Sequence, residues 1–244
     1  MERLIRMILI LLTSGICFVP AQAGDFTYPV LQSHGSTLKS FLPAGWHMLS
    51  TATGDLNGDH LPDIAAVMES KTDLSADSKE DNPPRHHCPR IFFILFGQKA
   101  GGYKLSVQSN DLIPFADDGR NEDPFVEGGS LAITHGTVML GVSNSGSNYR
   151  EFDFSQFRFQ QNGWYLIGLT EDYWELNEKG TASEYDYNLS TGKMKISTGV
   201  LNDGRKKMFM DVKHVRWTTP GKRKVRLAQY QSWYESEWGE IPKR

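Results

Sequence analysis

The chain has 244 residues, with 26 lysine and arginine residues against 29 aspartate and glutamate residues, and its formal net charge at pH 7 is −3. This balance argues against a general nucleic-acid binder, because such proteins are usually strongly basic. Beyond the N-terminal region, no apolar stretch is long enough to predict a transmembrane helix, and the remaining length suits one sizeable β domain or two small ones.

The N-terminus has the three parts of a secretory signal peptide. A start carrying two arginines leads into an apolar run over residues 7–19, and Ala21 and Ala23 then supply the small residues that a signal peptidase requires. The run is shorter than the roughly 20 residues that cross a bilayer. We therefore expect a cleaved signal over residues 1–23 and a single β-rich domain over residues 24–244, located in the periplasm or secreted.

The two cysteines indicate what kind of exported protein this is. Cys17 would leave with the signal, so Cys88 would be the one cysteine of the mature chain and no intramolecular disulfide could form. Small extracellular domains usually depend on disulfides, whereas a larger domain can be held by its core. This pattern favours a bacterial periplasmic protein. Cleavage would change the formal net charge from −3 to −4, because the segment carries two arginines and one glutamate.

The first strong motif along the mature chain is a nine-residue stretch rich in side-chain oxygen atoms. Such side chains stand at its positions 1, 3, 5 and 9, and the backbone carbonyl of position 7 could complete the set. Calcium takes six to eight oxygen ligands at about 2.3–2.6 Å in flexible geometry, so a tight loop with this spacing can surround the ion. The predicted calcium ligands are Asp55, Asn57, Asp59, Leu61 and Asp63.

This stretch has two other interpretations. An EF-hand is disfavoured, because Ala66 stands where its twelfth-position glutamate would be. A turn held by Asp and Asn side chains without any ion is the main alternative.

The motif resembles the calcium loop of the FG-GAP or VCBS repeat, which occurs in integrin-type propellers and in many bacterial exported proteins. In those repeats an Asp-x-Asn-x-Asp-Gly-x-x-Asp loop joins two strands, and residues 64–67 match the apolar strand that follows it. The resemblance implies a calcium-binding loop between two strands. His60 departs from the pattern, because it replaces a glycine that often needs a positive φ. No repeat recurs at a fixed spacing, so a complete propeller is not expected.

Most of the chain after the loop consists of short apolar or alternating segments separated by Gly, Asn and Asp. This pattern predicts an all-β fold with a mostly antiparallel sheet, arranged as a meander, a sandwich or a partial propeller. Hairpin turns are expected at His135-Gly136, Asn162-Gly163 and Thr191-Gly192. A change in the phase of alternating phenylalanines predicts a β-bulge near Ser155-Gln156.

Residues 70–90 interrupt this pattern, because they are rich in Ser, Asp, Lys and Pro and contain almost no large apolar side chains. We expect a long mobile loop between two strands. His86, His87 and Cys88 stand together in it and could bind zinc or copper, but nothing nearby in the sequence completes a four-ligand site. A solvated loop tip is the better interpretation.

Catalytic motifs are weak. Neither a Gly-x-Ser-x-Gly elbow nor a His-Glu-x-x-His helix is present. The acidic pairs Glu171-Asp172 and Glu151/Asp153 could form a glycosidase dyad, although carboxylates are common on any exposed β surface.

Charge is distributed unevenly. Acidic residues cluster over 117–127, whereas residues 205–226 contain nine basic residues and one acidic residue. A basic hairpin could bind an anionic partner such as an acidic protein or a cell-envelope polymer. Alternatively, its lysines protect an edge strand against aggregation. The predicted partner-binding residues are Arg205, Lys206, Lys207, Lys222, Arg223 and Lys224.

Together these features lead us to expect an exported, non-catalytic β protein with a calcium loop that binds another macromolecule. One version is an immunity or inhibitor protein directed against a toxin or hydrolase of the cell envelope. The alternative is an envelope hydrolase that uses surface carboxylates.

Overall fold

The computed structural model is all β over the residues that it describes. It contains two antiparallel sheets and two short 3-10 helices, Leu38–Phe41 and Leu227–Gln229. The predicted all-β, mostly antiparallel fold is therefore confirmed. None of the helices in the described part of the chain is long and apolar enough to cross a membrane. The predicted signal peptide lies outside that part. The described residues are 26–74, 87–116, 123–125, 130–178, 180–203 and 208–230.

The first sheet has five strands in the spatial order β1-β5-β4-β3-β2. Each neighbouring pair is antiparallel, and β2 to β5 follow one another as a meander. The strands are β1 (His34–Gly35), β2 (Trp46–Gly54), β3 (Asp63–Ser70), β4 (Arg90–Gly97) and β5 (Tyr103–Ser109).

Strands β3 and β4 are buried on both faces, which explains why their sequences read as continuous apolar runs instead of alternating ones. One face, with Ala65 and Phe92, points toward the second sheet. The other face, with Met68 and Phe93, is covered by the N-terminal segment through Phe41 and neighbouring residues. The five-stranded sheet is therefore the middle layer of the molecule.

The second sheet has eight strands, seven of them in the order β12-β11-β10-β9-β8-β7-β6. The eighth, β13, pairs with β9 at Tyr165 and Leu166, just beyond the Gly168 at which the pairing of β9 with β10 ends. The strands are β6 (Ser130–Thr134), β7 (Thr137–Ser145), β8 (Tyr149–Gln160), β9 (Gly163–Glu175), β10 (Thr181–Asn188), β11 (Lys193–Asp203), β12 (Met208–Thr218) and β13 (Val225–Arg226).

The predicted hairpins are present, with one shift in a turn. His135 and Gly136 connect β6 to β7 with φ values of 49° and 70°. Between β8 and β9 the two turn residues are Gln161 and Asn162, with φ values of 51° and 56°, and Gly163 already belongs to β9. Two consecutive positive φ values suit the right-handed twist of a two-residue hairpin.

The irregularity expected near Ser155-Gln156 occurs in the neighbouring strand. Gln156 lies opposite Gly168 and Phe157 lies opposite Leu166, so Ile167 is the additional residue. Strand β8 itself alternates without interruption, which places Phe154 on one face and Phe157 on the other. The prediction located the register shift correctly and assigned the extra residue to the wrong strand.

The space between the two sheets is filled by a single apolar cluster. Phe92 and Ile94 from the first sheet meet Val138, Phe157 and Leu166 from the second, and all five are at most 1% exposed. Burying a side chain of this size contributes about 1.5–3 kcal/mol. The strands on either side of the predicted 70–90 loop end at Ser70 and begin at Arg90, as expected, while residues 75–86 lie outside the described part.

Candidate functional site

The predicted calcium loop connects β2 to β3. Gly54 and Asp63 are paired at the end of the two strands, so residues 55–62 form the connection between them. The loop lies where the two sheets meet. A Cβ atom built on Gly54 would lie 2.4 Å from Cγ2 of Ile133 in β6, so glycine is what allows this approach.

Side-chain oxygens hold the loop through hydrogen bonds from its own backbone. The carboxylate of Asp55 accepts from the N–H groups of Gly58 and His60, at 2.8 and 3.0 Å. Asn57 Oδ1 accepts from the N–H of Asp59 at 3.0 Å. These contacts are the turns that Asp and Asn side chains form with the backbone two or more residues further on. They explain why such residues recur at alternate positions, with or without an ion.

His60 occupies the position that glycine takes in the resembling repeats. Its φ is 65°, so the backbone at this position adopts the left-handed conformation that the motif requires. The imidazole Nδ1 lies 3.5 Å from Asp55 Oδ2 and is almost fully exposed. Histidine in place of glycine therefore makes the left-handed conformation at position 60 less favourable but leaves the shape of the turn unchanged.

Asp63 is the buried residue of the loop, with none of its surface exposed. Its two carboxylate oxygens accept hydrogen bonds from the N–H of Leu56 and the N–H of Gly97, both at 2.8 Å. The first bond closes the loop and the second ties it to the end of β4. The pKa of Asp63 is raised. Burial is the main cause, the carboxylates of Asp59 and Asp55 add to it, and the two N–H partners offset only part of the increase.

The pKa of Asp55 is shifted in the opposite direction from that of Asp63. Although desolvation works to raise its pKa, the N–H groups of Gly58 and His60 and the nearby imidazole outweigh that effect, so the pKa is lowered. Asp55 thus keeps a charge that the loop itself stabilises.

The donor set fits calcium in its chemistry. Carboxylate, amide and carbonyl oxygens are the ligands that calcium prefers, and a carboxylate oxygen that accepts one hydrogen bond keeps lone pairs for a cation. The side chains are arranged for the local hydrogen bonds, however. Among the described residues, no three His, Cys, Asp or Glu side chains are grouped so that they could hold a metal ion. Calcium would have to draw Asp55, Asp59 and their neighbours inward.

The cysteine and histidine cluster divides at the boundary of the described residues. His86 lies outside them, and the ring of His87 stacks on Phe115 with centroids 5.7 Å apart. Burial, followed by Glu69 and Asp73, raises the pKa of the Cys88 thiol. A raised pKa makes the thiolate scarce at neutral pH, which disfavours metal binding and nucleophilic chemistry at this position.

A buried ion-pair network at Arg90 gave no recognisable signal in the sequence. The guanidinium has no exposed surface and donates to Glu69 Oε2 at 2.7 Å, to Asp123 Oδ1 at 2.9 Å and to the carbonyl of Pro114 at 2.9 Å. Asp123 belongs to the acidic cluster over residues 117–127, and Arg90 neutralises its charge. The other acidic residues of that cluster lie outside the described part. Breaking such a network leaves a buried charge, so its role is structural.

The pleat of the sheet separates one of the two candidate acidic pairs and keeps the other, Glu151/Asp153, on one face of β8. Glu171 and Asp172 are consecutive in β9 and so point to opposite faces. On the face toward the first sheet, Glu171 lies directly opposite Asp153 of β8, and these two residues are 6% and 7% exposed. The cross-strand partner of a carboxylate could not be read from the sequence, because it depends on register.

Asp172 belongs to a second acidic group on the outer face. It lies opposite Glu184 of β10, and Asp186 is two residues further along the same strand. Burial, then the charges of Glu184 and Asp186, raise the pKa of Asp172 to about 6. The pKa of Asp186 is raised as well, first by burial and then by Glu184.

The predicted partner-binding residues fall into two groups. Arg205, Lys206 and Lys207 lie outside the described residues. The other three, at positions 222–224, are exposed and line an open cleft of about 370 Å³, together with Gln160, Gln161, Tyr165 and Ser190.

The backbone fixes this basic segment in place. The N–H of Gly221 donates to the carbonyl of Gly192, and the N–H of Arg223 donates to the carbonyl of Leu189, both at 3.2 Å. Lys224 Nζ donates to Gln161 Oε1 at 2.9 Å and lies 4.9 Å from the centre of the Tyr165 ring. Residues 222–224 are therefore held by hydrogen bonds to the β8–β9 and β10–β11 hairpin turns.

Comparisons with known proteins give no family. No protein-family model matches the chain, and neither the curated proteins nor the solved structures contain a match. The resemblance to FG-GAP and VCBS loops accordingly stays a prediction from one motif.

Replacing Asp63 with alanine is expected to lower the free energy of unfolding in calcium-free buffer by about 2–4 kcal/mol, because two buried N–H groups lose their acceptor. Asp63→Asn keeps one acceptor and should cost about half as much. Denaturant titration measures both. The exposed Asp59→Ala is the matched control and should cost less than about 1 kcal/mol. Equal losses for Asp63→Ala and Asp59→Ala would show that Asp63 does not anchor the loop.

Asp172→Asn is expected to stabilise the protein at pH 7.5, because it removes a partly buried charge that lies near the carboxylates of Glu184 and Asp186. Solvent screens this partly exposed position, so the expected gain is only about 1 kcal/mol. The folded pKa is about 6, above the unfolded value. Wild type should therefore gain stability relative to this variant as the pH falls from 7.5 through 6 toward 4. Chemical denaturation at several pH values measures the difference. The exposed Glu178→Gln provides the control, and a pH-independent difference for Asp172→Asn would contradict the assignment.

Proposed function

We propose that the chain is an exported, non-catalytic binding protein that uses its Lys222–Lys224 cleft to dock on the acidic surface of another protein. The observation that carries this proposal is the set of three exposed basic residues around an open cleft, held by backbone hydrogen bonds to two hairpins. A cationic surface of this kind speeds the encounter with an acidic partner and selects against basic ones.

The composition of the cleft supports a binding role. Its cations stand beside the amides of Gln160 and Gln161 and the ring of Tyr165, and Arg226 lies 5.7 Å from the centre of the same ring. Tyr165 is only 3% exposed and supports the cations from below, whereas the arginine and amide groups are the more exposed side chains that could form hydrogen bonds with a partner. An immunity or inhibitor protein against an envelope toxin or hydrolase is the version of this function that we favour.

The calcium loop has a supporting role in the proposal. Calcium bound by Asp55, Asn57, Asp59, Leu61 and Asp63 would hold the β2–β3 connection against β4 and the second sheet. Outside the cytoplasm calcium is plentiful, so a site with an affinity of about 10⁻⁴–10⁻³ M could still be occupied. The signal peptide predicted over residues 1–23 would deliver the chain to such a compartment.

A second candidate function is favoured by one observation. Asp153 and Glu171 are two buried carboxylates in direct cross-strand positions, an arrangement that acid–base hydrolysis can use. An envelope hydrolase therefore stays the alternative.

Calcium at about ten times its dissociation constant is expected to stabilise the full chain by about 1.4 kcal/mol, which thermal melting would detect as a raised midpoint. Asp59→Ala should abolish this increase, because Asp59 is an exposed predicted ligand whose loss leaves the core intact. Asp211→Asn, on a distant strand, should retain it. Magnesium should give a smaller shift, since it demands stricter octahedral geometry. If saturating calcium leaves the wild-type midpoint unchanged, the loop is not a calcium site.

The double variant Lys222→Gln/Lys224→Gln is expected to lose the protein partner that wild type retains at stoichiometric amounts from a periplasmic extract, because the cleft loses two positive charges. Lys99→Gln, which removes an exposed lysine from the β4–β5 turn, should retain it. Mass spectrometry of the bound fraction is the measurement.

Two outcomes would contradict the proposed function. The first is retention of an anionic polymer from an extract that has been pretreated with protease. This result would show that the partner is an envelope polymer and not a protein. Turnover of peptidoglycan or lipid substrates that is lost in Glu171→Gln would favour the hydrolase.

A further inference from the structure

Strand β12 is the last strand of the eight-stranded sheet. It has eleven residues, and ten of them pair with β11 along one edge. No other described strand pairs with its second edge. Such an edge presents a row of backbone N–H and C=O groups that can accept a further strand.

A β-bulge in this strand keeps four of its apolar side chains on one face. Thr198 of β11 lies opposite His214, but the next residue, Gly199, lies opposite Val212, so Lys213 is the additional residue. A Cβ atom on Gly199 would lie 2.1 Å from the carbonyl oxygen of Asp211, so this close approach requires glycine.

The consequence of the bulge is a shift in phase by one residue. Side chains two apart share a face on each side of it, and the shift places Met210 and Val212 on the same face as Val215 and Trp217. We call these four residues the β12 stripe. The stripe lies on the outer face, away from the first sheet, because its β11 partners are the residues that alternate with the buried Ile196.

The β12 stripe is exposed to solvent. Val212, Val215 and Trp217 are 46%, 52% and 66% exposed. Single exposed apolar residues are ordinary, but an apolar row along an open strand edge marks a surface that another chain can pair with.

The opposite face of the same strand begins with Phe209, which is 50% exposed, and is basic from Lys213 onward. Lys213, His214 and Arg216 project from it, and the one acidic residue of the strand, Asp211, forms an exposed ion pair with Lys213. Exposed pairs of this kind contribute little. Lys213 and His214 also line a cavity of about 440 Å³ that extends from β12 across β11 and β10 to Tyr173 and Glu175 of β9.

We propose that β12 accepts an extended segment of a partner protein as an additional strand. The segment carries apolar residues on the side of the β12 stripe and carboxylates on the side of Lys213 and Arg216. Main-chain hydrogen bonds supply affinity in this mode of recognition, and alternate side chains supply specificity. Charge selects this occupant over a second copy of the chain, because two β12 edges would bring Lys213 and Arg216 of one copy beside those of the other.

This inference does not rest on the Lys222–Lys224 cleft, since other residues carry it. The direct test is fluorescence anisotropy of a labelled ten-residue peptide that alternates valine and glutamate, titrated with the full chain. Saturable binding is expected. Two control peptides should bind at least tenfold more weakly: one that alternates valine and lysine, and one that joins five valines to five glutamates.

Variants locate the binding surface. Val215→Lys/Trp217→Lys should weaken binding at least tenfold, and thermal melting checks that it stays folded. Val30→Lys, which adds a lysine at a side chain that is 93% exposed, should bind like wild type. Lys222→Gln/Lys224→Gln should also bind, which separates this surface from the proposed cleft. Hydrogen exchange should slow over residues 208–218 when the peptide is bound.

Three results would overturn the inference. The first is equal binding of the peptides that alternate valine with glutamate and valine with lysine. The second is binding that the Val215→Lys/Trp217→Lys variant leaves unchanged. The third is a concentration-dependent dimer of wild type that this variant abolishes, measured by sedimentation, because the occupant would then be a second copy.

Discussion

The double burial of β3 and β4 is the constraint on which the rest of the molecule depends. A sheet whose central strands are apolar on both faces needs a cover on each side, because exposed apolar surface costs about 25 cal/mol per Å². The N-terminal segment with Leu31 and Phe41 provides one cover, and the eight-stranded sheet provides the other. This three-layer arrangement fixes where the loop between β2 and β3 can lie.

Asp63 links the buried β3–β4 layer to the candidate metal site. It stands at the first position of β3, inside the packed layers, and its carboxylate reaches both Leu56 in the loop and Gly97 at the end of β4. Both N–H groups are buried, so they would lose their hydrogen-bond acceptor if the carboxylate moved away. The backbone of the loop is therefore held by the fold, and calcium binding would move the side chains of Asp55 and Asp59 without refolding the loop.

The second sheet separates the structural and the interacting parts of the protein. Its inner face supplies Phe157, Leu166 and their neighbours to the core, whereas its far strand β12 extends into solvent with an apolar stripe on one face and cations on the other. The Lys222–Lys224 cleft lies on the segment that follows β12 and returns to β9 through β13. None of the described side chains of β12 belongs to the core, whereas Val225, Leu227 and Tyr230, which follow the cleft, pack between the two sheets.

The sequence by itself determined the all-β class, the hairpin turns and the spacing of the candidate calcium ligands. These features are local, because a turn or an alternating strand depends on residues a few positions apart. The tertiary structure decided the features that depend on register and layering. It set Asp153 opposite Glu171, turned Asp172 to the other face, buried Arg90 between Glu69 and Asp123, and aligned Val212 with Val215 through a bulge. Register could not be read from the sequence, because a one-residue shift exchanges the two faces of a strand while leaving its local pattern unchanged.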